Sequence, residues 1–188
     1  METNFFGPLR LIQAALPILR SQKSGTIINF SSVAGFDGLP TCGLYAGSKF
    51  ALEGLSESLS RELVPFNIKI LIVQPGAFRT NFLIGSTKTK IGMSDPYKGS
   101  LVEETLKYMD NLNGTQKGDP EKAAARIFEV VTGTGMAESI EMRLGEKGNL
   151  RLPLGKDCLD RLETKLGVLR ENFDEIREIS LSTNLEGV

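Results

Sequence analysis

The chain has 188 residues, 40% hydrophobic and 24% charged, and its 22 lysines and arginines against 23 aspartates and glutamates leave a formal charge of −1. That balance offers no basic excess for gripping nucleic acid or anionic lipid, while the length suffices for one domain with its own core. Histidine is absent and Cys42 and Cys158 are the only cysteines, which excludes Ser-His-Asp, Cys-His and histidine-ligated metal chemistry, leaves too few thiolates for a zinc site or a disulfide framework, and predicts no metal.

In chain order, residues 4–20 predict a helix with Leu9, Ile12, Leu16 and Leu19 on one face and Pro17 kinking or ending it. Thr26 to Phe30 is a short β-branched run that reads as a buried strand. Residues 44–64 place Leu52, Leu55, Leu59 and Leu63 at steps of three and four, an amphipathic helix ended by Pro65. Ile68 to Val73 is a second buried strand, closed by Pro75-Gly76. Strand, long helix, strand is the pattern of a βαβ crossover in a parallel sheet, so the predicted class is α/β. Residues 81–118 are rich in Gly, Ser, Thr, Lys and Asn and read as a flap with a short helix over 102–111. Asp119-Pro120 supplies an N-cap and a first-turn proline for a helix that runs to Gly133. Leu150, Arg151 and Leu152 suggest a third strand, and residues 155–180 a long helix, with Leu159, Leu162, Leu166, Leu169, Phe173 and Ile176 packing on its own domain. No apolar run is long enough to span a bilayer and the first ten residues lack a signal-peptide core, so a cytoplasmic protein is expected.

Tyr45 and Lys49 stand four residues apart at the start of the second helix and so share a face. A cation close to a phenol favours the phenolate, and a phenol tuned in this way can act as a general acid or base. Alone the pair is weak, since this composition yields a Tyr-x-x-x-Lys by chance about one time in five. Three further features add to it. Ser31-Ser32 follow the first strand directly, at a carboxyl end where open α/β sheets bind ligands, and Ser32 lies thirteen residues before Tyr45. Pro75-Gly76-Ala77-Phe78-Arg79-Thr80 follow the second strand, where backbone amides and the Thr80 hydroxyl could grip an amide-bearing ring. Asn4 stands forty-one residues before Tyr45.

The segments GTIINFSSVAG, LYAGSK and NIKILIVQPGAFRT resemble the short-chain dehydrogenase/reductase family over residues 4–82. The resemblance implies a partial doubly wound, Rossmann-like parallel sheet and an NAD(P)(H)-dependent oxidoreductase acting on a carbonyl or alcohol. It implies NADP or NAD as cofactor, NADP ahead of NAD, and roles residue by residue. Tyr45 would pass a proton to or from the substrate oxygen. Lys49 would lower the Tyr45 pKa and bond the nicotinamide ribose, and Ser32 would donate to the carbonyl oxygen. Asn4 would hold a water leading to Lys49, and Pro75, Gly76 and Thr80 would position the carboxamide end of the cofactor. The spacing selects Ser32 over Ser31, and strand alternation points Ser31 to the other side. The apolar residues of the 81–118 flap imply a fairly apolar small-molecule substrate. The family's helices, with the leucine face of residues 52–63, imply a homodimer or homotetramer.

The glycine-rich turn T-G-x-x-x-G-x-G, which in this family cradles a pyrophosphate at a helix N-terminus, does not occur in the chain. Thr132-Gly133-Thr134-Gly135 follows a helix instead and reads as a C-cap and loop. The expectation is one truncated catalytic domain over residues 1–188, lacking the first strands of the fold and belonging to a longer enzyme. An inactive short paralogue serving as an interaction module, or a related epimerase or dehydratase, are the alternatives.

Overall fold

The computed structural model describes residues 1–85, 92–140 and 150–185. Three parallel strands, β1 (Gly25–Phe30), β2 (Ile68–Pro75) and β3 (Leu150–Leu154), form one sheet in the order β1-β2-β3. Gly25 pairs with Ile68 and Phe30 with Val73, while Leu71 pairs with Leu150 and Pro75 with Leu154. β3 tolerates Pro153 because, among the described residues, it is an edge strand.

The central strand divides the core by alternation of its side chains. Ile68, Ile70 and Ile72 pack against Ile12 and Leu16 of α1 (Gly7–Gln22) and Leu59 and Leu63 at the end of α2 (Gly43–Glu62). Leu71 and Val73 pack on the other face with Val130 of α4 (Pro120–Thr132), Ala137 and Leu154. Helices on both faces of a parallel sheet make a Rossmann-like layered fold. Each fully buried β2 side chain is worth roughly 1.5–3 kcal/mol, so this strand carries much of the stability.

The observed elements differ from the expected ones at points with physical causes. A turn of π-helix, Glu2–Phe6, precedes α1, and α1 runs through Pro17 to Gln22. Pro17 therefore neither ends the helix nor needs to, because only one backbone N–H is lost. α2 stops at Glu62 and the chain tightens into a 3-10 turn, Val64–Phe66, around Pro65. The short flap helix is α3 (Leu101–Leu112), N-capped by the Ser100 hydroxyl, which accepts from Val102 N–H at 3.2 Å. Residues 86–91 of the expected flap lie outside the described residues. Asp119 caps α4 by accepting from the Glu121 and Lys122 amides, and Gly133 ends it at φ 67°, a left-handed conformation that costs glycine little.

Of the expected subunit face, Leu52, Leu59 and Leu63 are buried within the chain itself, with Leu55 partly buried beside them. One packing expectation is corrected, that of the C-terminal helix. The long C-terminal helix is α5 (Lys156–Glu175), followed by α6 (Arg177–Leu181). It docks through its first turns only: Cys158 is buried, whereas Leu166, Phe173, Ile176 and Ile179 remain exposed. The start of the helix is tied down by Asp157, Cys158 and Arg161, whose hydrogen bonds join Ala77, Gln74 and Asp37. Among the described residues, no helix is long and apolar enough to cross a membrane.

The cysteines sit in opposite environments. Cys158 Sγ–H donates to Gln74 O at 3.1 Å, and burial pushes its thiol up to about 11, whereas Cys42 reaches the surface before α2. Iodoacetamide treatment of the native protein, followed by peptide mapping, is expected to label Cys42 within minutes and to leave Cys158 unlabelled until denaturant is added. Equal labelling of both in the native state would refute this burial.

Candidate active site

The site forms where the carboxyl ends of β1 and β2 meet the start of α2. The β1–β2 ladder extends one residue past Phe30, as Ser31 N–H donates to Val73 O at 2.8 Å. Side-chain alternation then sends the two serines opposite ways. Ser31 is buried and its hydroxyl donates to Glu53 Oε1 at 2.6 Å. Ser32, in extended backbone, accepts from Ala34 N–H at 3.2 Å and shares a hydrogen bond with the Tyr45 phenol. The 3-10 turn that Ser32 caps, Val33–Gly35, fixes the serine's direction.

Burial raises the Tyr45 phenol above its ordinary 10.0; the Ser32 hydrogen bond acts against this, and Cys42 adds to it. The expected lowering of the phenol by Lys49 is not among its causes here. The reason is that Lys49 Nζ points back along β1, donating to Phe30 O at 2.8 Å and lying 5.9 Å from the Tyr45 ring centre. Burial in turn lowers the Lys49 ammonium, while the Glu53 charge supports it. Asn4 Nδ2 donates to Ser48 Oγ at 3.1 Å, and Ser48 Oγ–H donates to Tyr45 O at 2.7 Å. Asn4 thus reaches α2 between Tyr45 and Lys49 and braces that turn.

The turn after β2 is held from two directions. Gly76 N–H donates to Leu154 O at 2.9 Å and Ala77 N–H to Asp157 Oδ2 at 2.7 Å. A β-carbon at Gly76 would meet both Asp157 carboxylate oxygens, so the glycine lets that carboxylate come this close to the turn. Arg79 N–H donates to Gly118 O at 2.9 Å, and its guanidinium grips Gln116 O, tying the turn to the far end of the 81–118 segment. The Gly76 and Ala77 amides, expected to be free for a ligand, are therefore engaged by the protein. Thr80 is exposed, with its hydroxyl accepting from Phe82 N–H at 3.3 Å. The Phe82 ring lies 5.8 Å from that of Tyr45, placing an apolar surface beside the phenol.

Sequence reasoning did not find the residues that brace this arrangement. Asp157 opens α5 and holds the β2 turn across eighty positions. One turn later Arg161 donates through Nε to Asp37 Oδ2 at 2.9 Å and through Nη2 to Asp37 O at 2.7 Å, fixing the loop that follows Ser32. Their sequence signals are only a helix start and an ordinary basic residue. Among the described residues no three His, Cys, Asp or Glu side chains cluster as a metal site.

A parallel sheet covered on both faces, with Ser32, Tyr45 and Lys49 gathered at its strand ends, places the protein in the Rossmann-like class. Comparison narrows that to a family. The short chain dehydrogenase family model matches residues 1–90. The oxidoreductase claN of Passalora fulva is 51% identical over 106 residues, 56% of this chain and 48% of that protein. A 3-ketodihydrosphingosine reductase of Bacteroides thetaiotaomicron is 40% identical over 134 residues, 70% of this chain and 48% of that protein. Among solved structures, a short-chain dehydrogenase from Streptomyces avermitilis superposes with a TM-score of 0.77 at 36% identity, covering 96% of this chain and 60% of that one. The chain belongs to the short-chain dehydrogenase/reductase family. It spans about half the length of these two curated relatives.

Proposed function

We propose that the protein carrying this chain is an oxidoreductase that interconverts a carbonyl and an alcohol on a fairly apolar small molecule with NADP(H) or NAD(H), Tyr45 serving as general acid and base. The observation that carries this reading is the convergence of the Ser32 hydroxyl and Lys49 Nζ, 5.9 Å from the ring centre, on the half-buried Tyr45 phenol. Family membership and the oxidoreductase names of relatives agree with it, and the Bacteroides relative is named for reducing 3-ketodihydrosphingosine.

The donor chemistry fits the nicotinamide end of such a cofactor. Lys49 uses one N–H on Phe30 O, and an ammonium has three, so donors remain for sugar hydroxyls. Lys49 and Thr80 would hold the cofactor, the Pro75-Gly76 turn setting the place of Thr80, and the cofactor when bound supplies or accepts the hydride. The chain's own residues manage the proton and the oxygen. Ser32 donates to the substrate oxygen and stabilises charge that develops there. Tyr45 gives its proton to that oxygen in reduction and removes it in oxidation. Because burial raises the phenol, it stays protonated through the neutral range. Reduction should therefore be fully active below the raised value and decline as pH rises through it. Phe82 at the start of the 81–118 flap, with Ile84 exposed close by, supplies the apolar lining for the substrate.

The test is a reductase assay on the full-length protein with phenanthrenequinone as an apolar probe and NADPH or NADH. Loss of the reduced-cofactor absorbance in proportion to quinone consumed is the expected result. Conversion of candidate substrates with no net absorbance change, and products that are epimers or dehydrated species, would replace this reading with isomerase or lyase chemistry.

A further inference from the structure

α2 carries one continuous stripe in which Tyr45, Lys49, Glu53 and Glu57 follow at steps of four, so each stands about one turn below the last. The reading above uses the first two. The third is a carboxylate only 3% exposed, and every strand of the described sheet sends a donor to it. From the end of β1, Ser31 Oγ–H donates at 2.6 Å. From β2, Gln74 Nε2 donates to both oxygens at 2.9 and 3.1 Å. From β3, Arg151 Nε donates to Oε2 at 3.1 Å, and its Nη2 bonds Glu57. Gly35 completes the enclosure, because a β-carbon there would collide with Ser31 Oγ and Glu53 Oε1.

We propose that Glu53 is a positioning residue for the Ser32-Tyr45-Lys49 group, its buried carboxylate clamping the serine-bearing end of β1 to α2 and providing the counter-charge one turn below Lys49. This rests on the proposed oxidoreductase reading. The geometry argues for more than packing. A buried carboxylate needs several donors to offset its lost hydration, and one of those used here is Ser31, the residue next to Ser32. A shift of the carboxylate would move the Ser31-Ser32 backbone and with it the hydroxyl bonded to Tyr45.

The charges facing this stripe set the sign of a pH effect. Glu53 is faced by Arg151 from β3, by Lys49 and Glu57 on its own helix, and by the Cys158 thiol of α5, on which its charge acts. A negative charge near Lys49 makes the ammonium hold its proton more tightly. Removing it lets Lys49 deprotonate at lower pH.

The test measures kcat and KM against pH for phenanthrenequinone reduction by the full-length protein, comparing the parent with Glu53→Gln, Glu53→Asp and Tyr45→Phe. Misplacing a catalytic group by about 1 Å can cost on the order of a hundredfold in rate. Glu53→Gln should lower kcat on that order, leave KM for the quinone little changed, and move the alkaline fall in kcat to lower pH. Glu53→Asp keeps the charge while shortening its reach, so the alkaline limb should return to its parental position with kcat still reduced. A folded Glu53→Gln variant with parental kcat and limb would overturn the proposal, as would a Glu53→Asp limb displaced like that of Gln. Should Glu53→Gln fail to fold, Glu53→Asp decides alone: a parental limb with lowered kcat supports the proposal, and parental kcat refutes it. The two readings fail separately. A parent protein that consumes no reduced cofactor with the quinone removes the oxidoreductase assignment, an active Tyr45→Phe protein removes the acid–base role of Tyr45, and an inactive Tyr45→Phe protein beside a parental Glu53→Gln removes only the role of Glu53.

Discussion

Replacing Tyr45 with phenylalanine in the full-length protein is expected to lower carbonyl reduction by at least about a hundredfold, within the range that general acid–base catalysis supplies. The substitution deletes one oxygen from a half-buried ring and leaves the apolar contact with Phe82 in place. The loss should therefore fall on kcat, with little change in thermal stability. The deletion also strips Ser32 of its partner on the helix, yet Ser32 keeps its bond from the Ala34 amide and so its direction. Steady-state kinetics beside a melting curve make the measurement. Rates within a few-fold of the parent would remove Tyr45 from the chemistry.

The second large effect concerns the 188-residue chain prepared by itself. Among the described residues β1 pairs with β2 along one edge only. Ile28 is 37% and Phe30 55% exposed on a strand with no second strand neighbour among the described residues. Such an edge templates pairing with other chains. Sedimentation at micromolar protein is expected to show concentration-dependent oligomers or aggregates, and Ile28→Lys with Phe30→Lys should reduce them, because charged edge side chains oppose strand addition. The sequence contains no T-G-x-x-x-G-x-G cradle, so fluorescence titration of this chain with NADH or NADPH should show no saturation below about a millimolar, the weak affinity of an end-only contact. A clean monomer that saturates with either nucleotide would overturn both expectations.

Much of this site is local in origin and was legible for that reason. A helix repeats every 3.6 residues and a strand every two whatever the surroundings, so the stripe from Tyr45 to Lys49 and the division between Ser31 and Ser32 follow from spacing. The cap at Asp119, the stop at Gly133 and the buried run of β2 are local in the same sense, since each depends on neighbours within one or two turns. The spacing misled where burial had to be shared among distant parts. Leu59 and Leu63 meet β2 and α1 in one core, whereas the apolar stripe of α5 reads as covered, and most of it is not.

What tertiary structure alone decided is which groups meet across long stretches of chain. Glu53 finds Ser31, Gln74 and Arg151 at separations of 22, 21 and 98 residues, and Asp157 finds Ala77 at 80. No periodicity encodes such pairs, because they depend on the order and register in which β1, β2 and β3 assemble. The same assembly turns Lys49 toward Phe30 O and occupies the amides of Gly76 and Ala77. The amino-acid sequence determined which chemical groups the site contains and on which face of each element they stand. The packed sheet decided which are buried and which bond one another, because desolvation and hydrogen bonding act through distances that only the folded chain establishes.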